Sequence, residues 1–171
     1  ALEVYCSAHP DEPDMHNALA WSKAVNATVA DIVKGGLPPF PYVRESLEKA
    51  SRHADIMVCS QTPTEALVRE WEEQGLDGYL FAIAGQEMGT KSEHIRFCSE
   101  GRYEKPRMLM IGDAFGDLKA ARANGALFFP INPGDEESSW KRFYEEGLDR
   151  FLNATFAGDY EAALISEFER Y

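Results

Sequence analysis

Long apolar runs are missing from this chain, so no helix that spans a bilayer is expected, since that takes about 20 apolar residues. Basic charge is scarce: 17 Lys and Arg stand against 29 Asp and Glu, a formal net charge of −12 with a sequence pI of about 4.7. Phosphate backbones call for a basic face, so a nucleic-acid partner is set aside. Cysteine is sparse as well. Cys6, Cys59 and Cys98 form no Cys-x-x-Cys pair and leave an odd thiol, which points to a reduced, cytoplasmic compartment. No stretch combines a charged start, an apolar middle and a small-residue cleavage site, so no signal peptide is read. The sequons Asn26-Ala27-Thr28 and Asn153-Ala154-Thr155 carry meaning only in a secreted chain and are taken as chance. There is no methionine at position 1, where Ala1 stands, a hint that the true start lies upstream.

What is present is enough for one domain with a real core, or one domain and a small appendage, in 171 residues. "DMHNALAWSKAVNATVADIVKGG" reads as one long helix, with Asp14 as N-cap, apolar residues Leu19, Val25, Val29, Ile32 and Val33 at helical spacing, and Gly35 as the stop. "LPPFPY" cannot be helix interior and reads as a stiff hinge between residues 1–37 and 38–171. "YVRESLEKASRHA" is a second helix. Then strands and helices alternate: "DIMVCS", "PTEALVREWEEQG", "YLFAIAG", "KSEHIRFCSEG", "RMLMIG", "DLKAARANG", "ALFFPI". Continuous apolar strands alternating with helices imply buried parallel βαβ crossovers, hence an α/β doubly wound sheet. The tail adds two amphipathic helices, expected to cover the sheet.

In an open parallel sheet, ligands bind beyond the carboxyl ends of the strands. Ser60 follows the first such strand, and Thr62 to Glu65 fits a capping box with Pro63 at the first helical position. A hydroxyl beside free N–H groups at a helix start suits an anion. Taken alone, Ser60 is an ordinary strand end. After the next strand, Thr90 and Glu93 fit a second capping box, which puts Lys91 in the first helical turn. A cation there opposes the helix dipole, at about 0.3–1 kcal/mol, unless an anion sits beside it. His94 lies on the same helix and is read as structural. After "RMLMIG" come Asp113 and Asp117, two hard oxygen donors of the kind Mg²⁺ takes together with waters and a substrate phosphate.

The order Ser60, Lys91, then "GDAFGD" resembles the haloacid dehalogenase superfamily of phosphohydrolases, over roughly residues 40 to 134. "IMVCSQTPTEAL" looks like its second motif, Lys91 its third, and "MLMIGDAFGDLKAA" its fourth, GDxxxD. Ser92 stands where many members have proline. The first motif, DxDGT/V, which supplies the nucleophilic and the acid/base aspartate, is absent: "HPDEPD" follows no apolar strand. The resemblance implies a Rossmann-like parallel sheet sandwiched by helices, with residues 1–37 as part of a helical cap. It implies a Mg²⁺-dependent phosphatase working through an aspartyl-phosphate, with Asp113 and Asp117 as metal residues, Lys91 and Ser60 as catalytic residues, and Ser60, Gln61 and Lys91 as the substrate-binding set. The nucleophile and the central strand would lie in the protein's own N-terminal segment, needed to complete the sheet, and the substrate would be small and phosphorylated or otherwise activated.

Other readings compete. A phosphorelay receiver carries its acidic pair first and its lysine last, the reverse of the order here. A cysteine phosphatase needs Cys-x5-Arg, and counting on from Cys59 and Cys98 reaches Glu65 and Glu104. A non-catalytic module of the same fold, binding phosphate or a partner, is the alternative that stays open.

Overall fold

A computed structural model describes residues 2–32 and 37–171, apart from the Ala30 side chain. Contacts divide the chain into two compact units, Ala1–Leu37 and Pro38–Tyr171.

The first unit holds helices α1 (Leu2–Ala8) and α2 (Pro13–Ile32). "LEVYC", a candidate for a short strand by its apolar residues, is helical instead. Cys6 is buried, and Lys23 reaches Glu3 at 2.6 Å to tie the two helices together. α2 begins at Pro13, so Asp14 lies inside the first turn and is not the N-cap. Proline suits a first helical position because its missing N–H would have no partner there. The expected continuation through Val33 to the Gly35 stop falls outside the described residues.

The second unit runs α3 (Val43–Ala50), β1 (Met57–Cys59), α4 (Thr64–Glu73), β2 (Ala82–Ala84), α5 (Lys91–Ser99), β3 (Leu109–Gly112), α6 (Phe115–Asn124) and β4 (Leu127–Pro130). The tail follows as α7 (Glu136–Arg142), a π-turn at Phe143–Gly147, α8 (Leu148–Leu152) and α9 (Asp159–Phe168). Gly125 ends α6 in the left-handed region at φ 67°, returning its N–H to the last turn.

Among the described residues all strand pairing is parallel, as the alternation implies, and the sheet is interrupted between β1 and β3, where the resemblance leaves the place of a central strand that lies outside these residues. β1 pairs with β2, and β3 pairs with β4, as two separate two-stranded sheets. Among the described residues β1 and β3 have no other strand partner, so each presents one unpaired edge. Their residues are apolar yet only partly buried throughout. The cause is direct: an isolated pair satisfies one side of each ladder and leaves the other side's N–H and C=O groups and flanking side chains uncovered.

β4 is the best covered strand. Successive side chains point to opposite faces, and both faces are packed. Phe128 lies 5.8 Å from the Phe168 ring of α9, with Leu118 and Ala121 of α6 in the same cluster. Phe129 lies 5.0 Å from Phe143, within a cluster holding Leu148, Phe156 and Leu164. Phe128 and Phe129 are each 1% exposed, and full burial of such a side chain contributes about 1.5–3 kcal/mol. The tail helices thus do cover this sheet.

α5 and α6 join the two sheets. Asn124 Nδ2 donates to the Ser92 carbonyl at 3.1 Å and to its hydroxyl at 3.0 Å, so the start of α5 is held against the end of α6.

Candidate functional site

Ser60 and Asp113 each follow directly on a strand, after Cys59 of β1 and Gly112 of β3. Lys91 opens α5, beyond the loop and short 3₁₀ turn (Gln86–Met88) that follow β2. Each residue therefore stands on the carboxyl-end side of a parallel strand.

The first turn of α5 forms as its sequence requires. Thr90 Oγ1 accepts from the Glu93 N–H at 3.3 Å, and Glu93 Oε2 accepts from the Thr90 N–H at 2.8 Å. The Thr90 N–H, and the Thr90 hydroxyl donating to the same Oε2 at 2.8 Å, hold the Glu93 carboxyl below its ordinary range. The box starts the helix at Lys91 and directs its side chain out of the first turn.

The anion that Lys91 meets is Asp117. Lys91 Nζ donates to Asp117 Oδ1 in a part-buried ion pair that joins the start of α5 to the first turn of α6. Asp117 is 1% exposed. Its other oxygen, Oδ2, accepts from the Ala114 N–H at 3.2 Å. Asp117 is thus a brace, pinning the turn that carries Asp113 to the helix that carries Lys91. Asp113 is exposed at the end of β3.

The loop after β1 is organised differently from its sequence reading. Pro63 is the N-cap of α4, and the Thr62–Glu65 box is not made. Thr62 instead donates its N–H to Ser60 Oγ at 3.1 Å. The start of α4 is capped from the neighbouring loop: Glu87 Oε2 accepts from the Thr64 N–H at 3.0 Å and from its hydroxyl at 2.7 Å. A longer side chain from the 3₁₀ turn reaches the free amide, and the Thr62 side chain is no longer needed. The Thr64 bonds hold the Glu87 carboxyl below its ordinary value. Gly85 lets the two loops meet, since a β-carbon there would lie 2.6 Å from the Thr64 nitrogen. Gln61 Nε2 donates to the Gly89 carbonyl at 2.9 Å, a second tie between the Ser60 loop and the loop leading to Lys91.

Cys59 and His94, neither singled out as functional from sequence, lie between these parts. Cys59 Sγ is 3.5 Å from the Lys91 carbonyl oxygen and 3.5 Å from His94 Nδ1. His94 is 1% exposed, and its Nε2 is buried with no hydrogen-bond partner among the described residues. Burial pushes the Cys59 thiol up to about 11, with Lys91 acting in the opposite direction. The helical offset was the available signal: His94 is three residues beyond Lys91 and shares its face of α5.

Among the described residues no group of three or more His, Cys, Asp or Glu side chains forms a metal cage. The donors present match the smaller demand of Mg²⁺, which takes one or two carboxylates and completes its shell with water and phosphate oxygens. Asp113 is exposed, while both Asp117 oxygens already hold N–H donors, so Asp113 is the residue suited to direct contact. No helix among the described residues is long and apolar enough to cross a membrane.

No protein-family model matches this chain, and neither a curated protein nor a solved structure matches it.

Proposed function

We propose that the carboxyl ends of β1 and β3, with the start of α5, form a phosphate site of the haloacid dehalogenase type, part of a Mg²⁺-dependent phosphatase. The observation that carries this reading is the Lys91–Asp117 ion pair, which joins the isolated lysine and the GDAFGD segment despite their separation in sequence. An ammonium, and a strand-end carboxylate able to hold Mg²⁺, are groups that bind and polarise a phosphoryl group.

In this reading Ser60 accepts the Thr62 N–H on one lone pair and donates its hydroxyl hydrogen to a phosphoryl oxygen. The Lys91 ammonium keeps two further N–H bonds beyond the one to Asp117 and turns them toward the phosphoryl group. Gln61 holds the loop through Gly89 and lines the substrate. Asp113 would hold Mg²⁺, which when bound offsets charge on the phosphoryl oxygens.

The nucleophile is assigned to a strand from outside these residues, filling the gap that the free edges of β1 and β3 leave. The protein's own N-terminal segment is the proposed occupant. Running parallel to both, it would present an aspartate at its carboxyl end, beside Lys91 and Asp113. That carboxylate attacks phosphorus as the ester oxygen leaves, and water then frees phosphate and restores the carboxylate. A second reading, a non-catalytic phosphate- or partner-binding module, draws on the absence of DxDGT/V from these residues.

Complementation tests the proposal. Residues 1–171 are expressed alone, then mixed with a separately made segment bearing an apolar strand and DxDGT. Aryl phosphate hydrolysis that requires Mg²⁺ and both pieces is expected. A 1–171 chain that folds cooperatively as a monomer with a closed sheet, and gains nothing from the segment, overturns it.

A further inference from the structure

The least explained group in the second unit is the His94 imidazole. It is 1% exposed, one nitrogen faces Cys59 Sγ at 3.5 Å, and the other is buried without a partner. A neutral imidazole carries one N–H, and its neighbours select which nitrogen holds it. A proton on Nε2 would bury an N–H donor with no acceptor, a cost of about 1–3 kcal/mol. A proton on both nitrogens would bury a charge as well as the same unmet Nε2 N–H. A proton on Nδ1 gives the N–H a sulfur acceptor and leaves only a lone pair unmet at Nε2. Unmet buried acceptors are tolerated more often than unmet N–H groups.

With Nδ1–H pointing at sulfur, the Cys59 S–H is free to point elsewhere, and the Lys91 carbonyl oxygen lies 3.5 Å from the sulfur. Burial keeps the thiol protonated across the neutral range, so it persists as a donor.

We infer that His94 and Cys59 form a two-step hydrogen-bond relay that positions Lys91, with His94 Nδ1–H donating to Cys59 Sγ and Cys59 Sγ–H donating to the Lys91 carbonyl. The relay starts and ends in the first turn of α5 and passes through the last residue of β1, immediately before Ser60. It therefore sets the spacing between the Ser60 hydroxyl and the Lys91 backbone, while Asp117 sets the far end of the Lys91 side chain. Cys59 and His94 are positioning residues that touch no substrate. What the positioning serves rests on the phosphate reading, but the relay is a statement about hydrogen bonds and stands or falls separately.

The test is nitrogen NMR of the imidazole in the whole chain. The expected result is His94 with a protonated Nδ1 and an unprotonated Nε2, the rarer neutral tautomer. Protonated Nε2 in the wild-type chain overturns the inference without any variant being made. Cys59→Ala is expected to shift the His94 Nδ1 signal and the Lys91 and Ser92 amides, and Cys59→Ser to restore them in part. Unchanged signals in a folded Cys59→Ala chain also overturn it. Titration of the chain complemented with the strand-bearing segment, using Mg²⁺ and inorganic phosphate, reads the other hypothesis: if the Ser60 and Lys91 amides do not respond while His94 shows the expected tautomer, the relay holds and the phosphate site fails.

Discussion

Gly112 and Asp117 are in such close approach that a β-carbon on Gly112 would lie 2.5 Å from Asp117 Cβ and 2.5 Å from its Oδ2. The last residue of β3 is glycine because the brace of the next helix occupies the side-chain space. Asp117 needs that position to reach both the Ala114 N–H and Lys91.

Gly112→Ala is therefore expected to displace Asp117 from both partners. The overpacking alone costs about 1–3 kcal/mol, and loss of the two contacts adds to it. Urea unfolding of Gly112→Ala against wild type measures the sum. A change within error would show that Asp117 relaxes freely.

Lys91→Met and Asp117→Asn should each destabilise the chain, because each leaves the other partner's charge unmatched. A fully buried pair broken on one side loses about 3–5 kcal/mol. The Lys91 side chain is 29% exposed, against 2% for Asp117, so a smaller loss of about 2–3 kcal/mol is expected. The double variant should be less destabilised than the sum of the singles, and a double-mutant cycle reads that coupling. Additive losses would mean the ion pair contributes nothing beyond its parts.

Asp113→Asn should leave stability nearly unchanged, since Asp113 is exposed. In the chain complemented with a strand-bearing segment, it should weaken Mg²⁺ binding more than Asp117→Asn does. Calorimetric titration of both variants decides the ranking. Greater loss in Asp117→Asn would reverse the assignment of ligand and brace.

Glu87 gives an acid-side signature. Its bonds to Thr64 hold the folded carboxyl below the ordinary 4.5. A depressed folded value means the stabilising contribution is fully present above 4.5 and disappears as pH falls through the lower folded value. The stability difference between wild type and Glu87→Gln should be constant from neutral pH down to about 5 and shrink below that. Parallel urea midpoints at every pH would show that the Glu87 cap is not charge-dependent.

Much of this protein was legible from local pattern. The alternating strands and helices and the Thr90–Glu93 box that starts α5 at Lys91 depend on residues within a few positions of each other. Short-range sterics and hydrogen bonds decide such features, so the sequence by itself determined them. It also placed Ser60 and Asp113 directly after strands. The tertiary structure alone decided the rest. Glu87 displaced the Thr62–Glu65 box because its carboxylate arrives from a loop 23 residues away. Asp117 became a brace, and His94 came to face Cys59, because α5 packs between partners 26 and 35 positions distant in sequence. The open edges of β1 and β3 follow from a central strand that the sequence already placed outside these residues, but which edges do pair depends on which strands share the space, not on an edge's own residues.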